Sequence, residues 1–198
     1  GELFVAHHHH EIRPGRTLDS LYLRPLQLQL RKNGGNVYEN PTAELTLMID
    51  LKTEGTSTLA AITKAIERYP ELKASRTLRF MISGSVPDPA LWKNYPSYIC
   101  FDGRPGVPYT PEQWKRIHMI STSFGQHVKW DGEGQLSSDE IGKIRALMKE
   151  AHAAGKKFRF WGTPDRENAW RQFMDLGMDV VLTDDVVGLI GFISRNGR

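Results

Sequence analysis

The segment Leu45–Leu51, LTLMIDL, decides the predicted fold, because five of its seven residues are apolar. A short apolar run with polar flanks is typical of a strand buried on both faces of a parallel sheet. Six further runs have the same character, and they are Leu3–Ala6, Leu78–Ile82, Tyr98–Phe101, His118–Ser121, Phe158–Trp161 and Val180–Leu182. The sequence therefore predicts seven strands.

Amphipathic segments fill several of the gaps between these strands. The pattern predicts one helix that is capped by Ser57 and stopped by Pro70. A second helix is predicted to follow Ser137, with Glu140 three residues later completing a capping box. A third helix is predicted to begin after Thr163, which would be its N-cap. Strands that alternate with helices in this way indicate the α/β class.

The strand spacing favours a (β/α)8 TIM-type barrel. Seven strands in 198 residues give about one strand per 28 residues, as in barrels of ~250 residues, so the chain is short by about one unit. We therefore predict one domain over residues 1–198, lacking the first strand–helix unit of the barrel. The gap would expose two strand edges, which predicts self-association there. A doubly wound open sheet is the alternative, but the glycine-rich turn expected after an early strand is absent.

Composition and charge exclude several classes of protein. The net charge is +3 and no basic run reaches five residues, so no nucleic-acid partner is expected. No apolar stretch approaches the ~20 residues of a membrane span, so we expect a soluble protein without a transmembrane segment. The chain opens directly on a predicted strand, which we interpret as a cut N-terminus. If a signal peptide precedes it, the protein is exported.

Polar residues follow the predicted strands, where the active site of a barrel lies. They are His7, Asp50, Lys52, Ser83, Asp102, Arg104, Ser121, Ser123, Trp161, Thr183 and Asp184. Asp50 and Lys52 are two positions apart and so point to the same side of a strand, which we expect to be the barrel interior. They form either a salt bridge across the barrel or a site in which the carboxylate holds a metal and the lysine an anionic oxygen.

The run His7–His10 is interpreted as native sequence and not as a purification tag. It follows the apolar residues Leu3–Val5 and precedes Glu11, where a tag would have a linker of small residues. His7 would present an imidazole at the end of the first strand, whereas the roles of the three following histidines stay open. A zinc hydrolase built on this run is disfavoured, because adjacent strand residues point to opposite faces.

Four segments together resemble a known superfamily, and their order and spacing carry the likeness. They are ELFVAHHHHEIRPGRTLDSLYLRPL (residues 2–26), LTLMIDLKTEG (45–55), KFRFWGTPD (157–165) and GMDVVLTDD (177–185). They resemble bacterial proteins of the glycerophosphodiester phosphodiesterase and phosphatidylinositol-specific phospholipase C superfamily. The resemblance implies a (β/α)8 barrel that cleaves phosphodiesters with histidine acid–base chemistry and a divalent cation, Ca²⁺ or Mg²⁺.

The resemblance also implies a role for individual residues. His7 matches the second catalytic histidine, Asp50 a metal-holding carboxylate, and Lys52 the cation that neutralises phosphate charge. Trp161 matches a position that lines the substrate pocket. Ser83, Asp102, Ser121 and Asp184 are further pocket candidates. The family's first catalytic histidine and its acid-x-acid metal ligands have no counterpart, so the resemblance implies a cation that is incompletely liganded in this chain.

The expected function is therefore that of an enzyme of lipid metabolism, a phosphoric diester hydrolase. Its partner would be a glycerol- or inositol-linked phosphodiester, either a small molecule or a lipid headgroup. The alternative is a non-catalytic barrel, derived from that family, which binds phosphate or a polyol. Because one catalytic histidine and most metal ligands are missing, the 198-residue chain is expected to be nearly inactive.

Overall fold

The computed structural model describes residues 2–197. These residues form two compact units, with the boundary between Phe101 and Asp102. The prediction of a single domain over residues 1–198 stays a prediction.

The first unit alternates strands with helices. In chain order its elements are a 3-10 turn His9–Glu11, a π-helical turn Asp19–Leu23, α1 Arg24–Lys32, β1 Leu45–Leu51, α2 Gly55–Glu67, α3 Pro70–Ala74, β2 Leu78–Gly84, a 3-10 turn Pro89–Asn94 and β3 Ile99–Gly103, which ends just past the boundary.

The second unit continues the alternation. Its elements are α4 Pro111–Arg116, β4 Ile117–Ser123, α5 Phe124–His127, α6 Ser138–Ala153, β5 Lys157–Trp161, α7 Glu167–Asp175 and α8 Val186–Arg195. Across residues 2–197, no helix combines the length and the apolar character that crossing a membrane would require.

Strand pairing within each unit is parallel. In the first unit β1 pairs with β2 along its whole length, from Leu45 opposite Leu78 to Leu51 opposite Gly84, and β2 pairs with β3. In the second unit β4 pairs with β5. The predicted α/β class with parallel strands is therefore confirmed. Neighbouring strands follow one another in chain order, as in a TIM-type barrel, whereas closure over eight strands stays a prediction.

The prediction of seven strands is wrong for the described residues, which contain five. In Leu3–Ala6 only Phe4 forms a bridge, antiparallel to Thr17, because the backbone of residues 3–5 bonds locally to residues 16–18. In Val180–Leu182 only Val180 forms a bridge, parallel to Arg159. Both segments are apolar enough for a strand, but each makes only one bridge.

Helix α2 buries the face that its sequence pattern predicts. Leu59, Ile62 and Ile66 are all buried. The cap is different from the prediction, because Glu54 takes the N-cap position and accepts hydrogen bonds from the amides of residues 56 and 57. Pro70 does not stop a helix but begins α3, since proline is well accommodated in a first helical turn.

The core of the second unit is built on phenylalanines. Phe124 contacts Phe160 and Phe173 edge to face, with ring centroids 5.3 and 5.5 Å apart. Phe158 and Phe160 meet in the same way at 4.8 Å. The predicted capping box of α6 is confirmed, because Ser137 and Glu140 satisfy each other's backbone amides. These rings anchor β5, which is the strand that leads into the next loop.

Asp165 lies in the loop between β5 and α7 and connects this loop by hydrogen bonds to the segment after Val180. Its carboxylate accepts hydrogen bonds from the Thr183 hydroxyl at 2.6 Å and from the amides of Asp184 and Asp185 at 2.7 and 3.1 Å. The predicted cap at Thr163 is wrong, since α7 begins at Glu167. Asp165 is therefore used between segments and not to cap a helix.

The first prediction concerns the cap of α2. The Ser57 hydroxyl, with the amides of Ser57 and Thr56, lowers the pKa of Glu54 from 4.5 to about 2. The carboxylate therefore stabilises the fold fully above about pH 4.5, and this contribution is lost as the pH falls through about 2. We expect Glu54→Gln to lower the thermal unfolding midpoint at pH 7, and the difference from the parent to vanish near pH 2.

Unfolding followed by circular dichroism across this pH range is the measurement. Glu39→Gln, in an exposed loop, is the matched control. A constant difference between the parent and Glu54→Gln at all pH values would contradict the assignment.

The second prediction concerns the loop that Asp165 holds. Asp165→Ala removes the acceptor of the Asp184 and Asp185 amides, so their hydrogen exchange should accelerate by about tenfold or more. Exchange measured by NMR tests this. Asp139→Ala, which removes an exposed i,i+4 ion pair with Lys143, should leave both amides unchanged. Unaltered exchange in Asp165→Ala would show that the loop is held by other contacts.

Candidate functional site

A cavity of about 380 Å³ lies in the first unit beside β1. Its polar lining comes from His7, Asp50, Lys52, Thr53 and Thr58. Its other lining residues are mostly apolar and come from the N-terminal segment, the turn before α1, β1 and α2. They are Leu3, Phe4, Val5, Ala6, Leu18, Tyr22, Leu47, Met48, Ile49, Leu51 and Ile62. A concave, mostly apolar cavity with a few polar groups is typical of a small-molecule site.

His7 reaches the cavity from a loop that Glu11 shapes. One carboxylate oxygen of Glu11 accepts the backbone amides of His7 and His8, at 3.0 and 2.9 Å. These bonds, the one from the His8 amide foremost, lower the pKa of Glu11. Neither His8, His9 nor His10 lines the cavity. His7 is thus the one histidine of the run that lines the cavity, although its ring contacts that of His8 edge to face at 4.4 Å. The role of Glu11 was not predicted from the sequence.

Asp50 and Lys52 form an ion pair at the carboxyl end of β1. The Lys52 Nζ lies 2.7 Å from Asp50 Oδ2, and the two side chains are 48% and 44% exposed. The pairing is local and does not cross a barrel, and the pair is not enclosed as the sequence suggested. β1 is only half-buried along most of its length, which leaves both side chains in contact with solvent.

The neighbouring strand supports the Asp50 side chain. Ser83, a predicted pocket residue, is buried and is the register partner of Asp50. Gly84 follows with a φ of +75°, and a Cβ built there would overlap Asp50 Oδ1 and the Leu51 carbonyl oxygen. Only glycine satisfies both the positive φ and this close approach. Its position at the end of β2, two residues after the apolar run Leu78–Ile82, is the sequence signal for it.

The described residues do not fit a complete divalent-cation site. Asp50 is the one carboxylate among the lining residues, and Lys52 already pairs with it. Nowhere in residues 2–197 do three or more His, Cys, Asp or Glu side chains converge so as to hold a metal ion. Calcium and magnesium take six or more oxygen ligands, and the lining of this cavity supplies one carboxylate.

A polar cluster in the second unit contains two other predicted residues, Asp102 and Ser121. The Ser121 hydroxyl donates to Asp102 at 2.6 Å, and Arg104 Nη1 donates to Asp102 at 2.8 Å and to Ser121 at 3.1 Å. Arg159 lies 3.7 Å from the same carboxylate. Asp102 is 2% exposed and Ser121 fully buried. Two guanidinium groups therefore lie beside one buried carboxylate.

Arg159 was missed by the sequence analysis because it interrupts an apolar strand. Its register partner is Ser121 on β4, so side-chain alternation between paired strands is the signal that could have found it. A buried arginine requires a partner, since an unpaired charge in a protein interior is costly. The carboxylate of Asp102 supplies that partner.

Trp161 and Asp184 are placed separately in the second unit. Trp161 ends β5 opposite Ser123 and is 43% exposed. Asp184 is exposed, and its backbone amide is held by Asp165. The structure thus brings together His7, Asp50 and Lys52 in one cavity, with Ser83 adjacent to Asp50. In the second unit it brings together Asp102 and Ser121.

Comparisons with known proteins show similarity to a family model over part of the chain. Residues 157–186 match the model of the glycerophosphoryl diester phosphodiesterase family. One relative is the altered inheritance of mitochondria protein 6 homolog of Arthroderma benhamiae (strain ATCC MYA-4681 / CBS 112371). The alignment of the two chains shows 24% identity over 221 aligned positions, and it covers 96% of this chain and 70% of the relative. This relative is fungal, and a bacterial origin for the chain stays a prediction. No solved structure matches.

The family match covers β5, Asp165 and the Thr183–Asp185 segment that Asp165 holds. These are the residues of two of the four segments on which the resemblance was based. The resemblance of the chain to the glycerophosphoryl diester phosphodiesterase family is therefore confirmed, over residues 157–186.

Proposed function

We propose that this chain is a phosphoric diester hydrolase that acts on glycerol- or inositol-linked phosphodiesters. The observation that carries the proposal is the cavity of about 380 Å³ beside β1, which His7, Asp50 and Lys52 line together. His7 is far along the chain from Asp50 and Lys52, and the match to the phosphodiesterase family lies in a third segment. Two independent features thus support the same chemistry.

Three polar residues of the cavity, His7, Asp50 and Lys52, suit parts of the reaction. In an in-line displacement the oxygen of a water molecule or of a neighbouring substrate hydroxyl bonds to phosphorus, the bond to the leaving oxygen breaks, and the proton of the nucleophile passes to solvent water. His7 would donate a proton to the leaving oxygen. Lys52 would place its ammonium against a non-bridging phosphate oxygen, where negative charge is stabilised in the transition state. Asp50 holds the ammonium at 2.7 Å and so restricts its position.

The second unit offers a further place for substrate, with Trp161 as an exposed aromatic surface. In the first unit Ser83, the register partner of Asp50, is assigned to substrate binding. In the second unit Asp102, Ser121 and Asp184 are assigned to substrate binding. Arg104 and Arg159 lie beside the Asp102 carboxylate, and guanidinium groups suit a phosphate oxygen. Ser83, Asp102, Ser121 and Trp161 lie at or near the carboxyl ends of parallel strands, whereas Asp184 lies in the segment that Asp165 holds.

A second candidate function is a non-catalytic protein that binds phosphate or a polyol. The ion pair between Asp50 and Lys52 favours it, because a carboxylate paired in this way is less available to a cation. His7 is the one imidazole among the lining residues, whereas displacement needs both a base and an acid. The hydrolase and a phosphate-binding protein both require the phosphate-binding role of Lys52 and differ only in turnover, whereas a polyol-binding protein does not require it.

The third prediction tests catalysis. We expect slow hydrolysis of glycerophosphoinositol, followed by ³¹P NMR as release of a phosphomonoester. His7→Ala should lower the rate by about 10²–10⁴-fold, because the leaving oxygen loses its proton donor. His9→Ala, which alters the same loop outside the cavity, is the control and should keep the parental rate. Equal rates in the parent and in His7→Ala would refute the catalytic role of His7.

The fourth prediction tests binding. Lys52→Met should weaken the affinity for glycerophosphoinositol by about tenfold or more, because a charge-assisted hydrogen bond is lost. Isothermal titration calorimetry measures it. Lys115→Met is the matched control, since Lys115 is also exposed and ion-paired, with Glu112 at 3.0 Å. Binding that depends on Lys52 without any turnover would favour the second candidate, and binding that is indifferent to Lys52 would exclude both.

A further inference from the structure

A second cavity, of about 490 Å³, lies in the first unit and has a different character. One wall is the face of α2 and its C-cap that carries Ala61, Lys64, Ala65 and Arg68. These residues are spaced as i, i+3, i+4 and i+7, so they lie above one another on the helix. The opposite wall is the segment of Gly15, Thr17 and Ser20, with Arg24 at the start of α1.

Three cations converge on this cavity. They are Arg24, Lys64 and Arg68, and the acidic residues that line the same cavity are Glu2 and Asp19. The lining therefore carries an excess of one positive charge. Both arginines engage the single carboxylate of Asp19, at 2.9 and 3.0 Å, so this group of three side chains carries a net positive charge beside Lys64.

Asp19 fixes the arginines in place. It also accepts a hydrogen bond of 2.6 Å from the Tyr69 hydroxyl, and Tyr69 is itself buried. The hydroxyl of Tyr69, together with the guanidinium of Arg24, holds the pKa of Asp19 below its usual range, so the carboxylate stays charged. Each arginine bonds to Asp19 through Nη2. A guanidinium has five donors in a fixed plane, so each retains donors for a second acceptor.

The opposite wall is also ordered by hydrogen bonds. Ser20 Oγ donates to the Gly15 carbonyl oxygen at 2.5 Å and accepts from the Thr17 amide at 3.1 Å. The turn is thus held from within before any ligand binds. Preorganised walls reduce the entropy that a ligand must lose on binding.

We propose that this cavity binds a phosphate group, as free phosphate or as a phosphomonoester. Two guanidinium groups oriented by Asp19 and one ammonium line the same cavity, and such a set of donors suits the oxygens of a tetrahedral dianion. Arg24 and Arg68 keep their bonds to Asp19 and direct their remaining donors to the ligand, and Lys64 supplies the third contact. The cations are exposed to solvent, so the affinity falls as salt concentration rises.

This site is separate from the one beside β1. Of their lining residues the two cavities share only Leu3. α2 separates their chemistry, since Thr58 and Ile62 face the cavity of His7 whereas Lys64 and Arg68 face the second cavity. The proposal therefore does not depend on the hydrolase function, and either can fail without the other.

The fifth prediction tests the second cavity with inorganic phosphate as the probe, against chloride at equal ionic strength. Isothermal titration calorimetry on the whole chain should show saturable binding in the millimolar range or tighter. Lys64→Met should weaken it by about tenfold. Lys149→Met, an exposed helix lysine outside both cavities, is the matched control and should bind like the parent. Arg24→Met is a second variant, which should also weaken binding.

A further arm distinguishes the sources of the phosphate group. Vesicles of phosphatidylcholine with phosphatidic acid are compared with pure phosphatidylcholine vesicles in a flotation assay. Binding of free phosphate that depends on Lys64 supports a small ligand. Capture by phosphatidic acid alone, lost in Lys64→Met, supports a lipid headgroup with the same chemistry.

Three results would overturn the proposal. The first is the absence of saturable binding in both arms. The second is equal binding by Lys64→Met and Lys149→Met, which would reduce the effect to net charge. The third is phosphate binding that is lost in Lys52→Met and kept in Lys64→Met, because the phosphate would then occupy the cavity beside β1. Circular dichroism of each variant checks that the fold is intact.

Discussion

The parallel register between β1 and β2 is the constraint on which the candidate site depends. It places Asp50 beside Ser83 and brings Leu51 opposite Gly84. Because side chains alternate along a strand, a shift by one residue would turn Asp50 away and replace it with an apolar neighbour. Lys52 follows directly after β1 and pairs with Asp50, so the charged pair lies at the end of the strand that this register positions.

The second unit contains a buried carboxylate, whereas the charged pair of the first unit is exposed. Asp102 is buried almost completely and is stabilised by a hydroxyl and two guanidinium groups, whereas Asp50 and Lys52 remain half-exposed. A buried carboxylate without partners would be strongly unfavourable, so this cluster is constrained by its own burial. An exposed ion pair contributes little to stability and is therefore free to exchange partners with a ligand.

Much of the fold could be predicted from sequence because apolar runs and caps are local signals. Leu45–Leu51 is a strand with the predicted bounds, and the capping box of Ser137 and Glu140 is present. Leu3–Ala6 was predicted as a strand and is not one, since composition does not reveal which backbone partner a segment will find. In the structure it bonds to residues 16–18.

The candidate site was predictable to a similar extent and for the same reason. His7, Asp50 and Lys52 follow apolar segments, and the structure brings them to one cavity. Arg159 and Asp165 were missed, because their roles depend on residues distant in the chain, Asp102 and Thr183. The missing information is tertiary, and only the register between strands or the path of a loop supplies it.

Gly84 has a consequence for how this protein tolerates change. It does not line the cavity, yet a single methyl group at this position would displace both the Asp50 carboxylate and the Leu51 carbonyl oxygen. The carboxylate would then be pushed from the ammonium of Lys52. A mutational scan would therefore find that substitutions of Gly84 impair the site, although glycine has no functional group of its own. The position of the charged pair at the end of β1 therefore depends on the absence of a side chain at the end of β2.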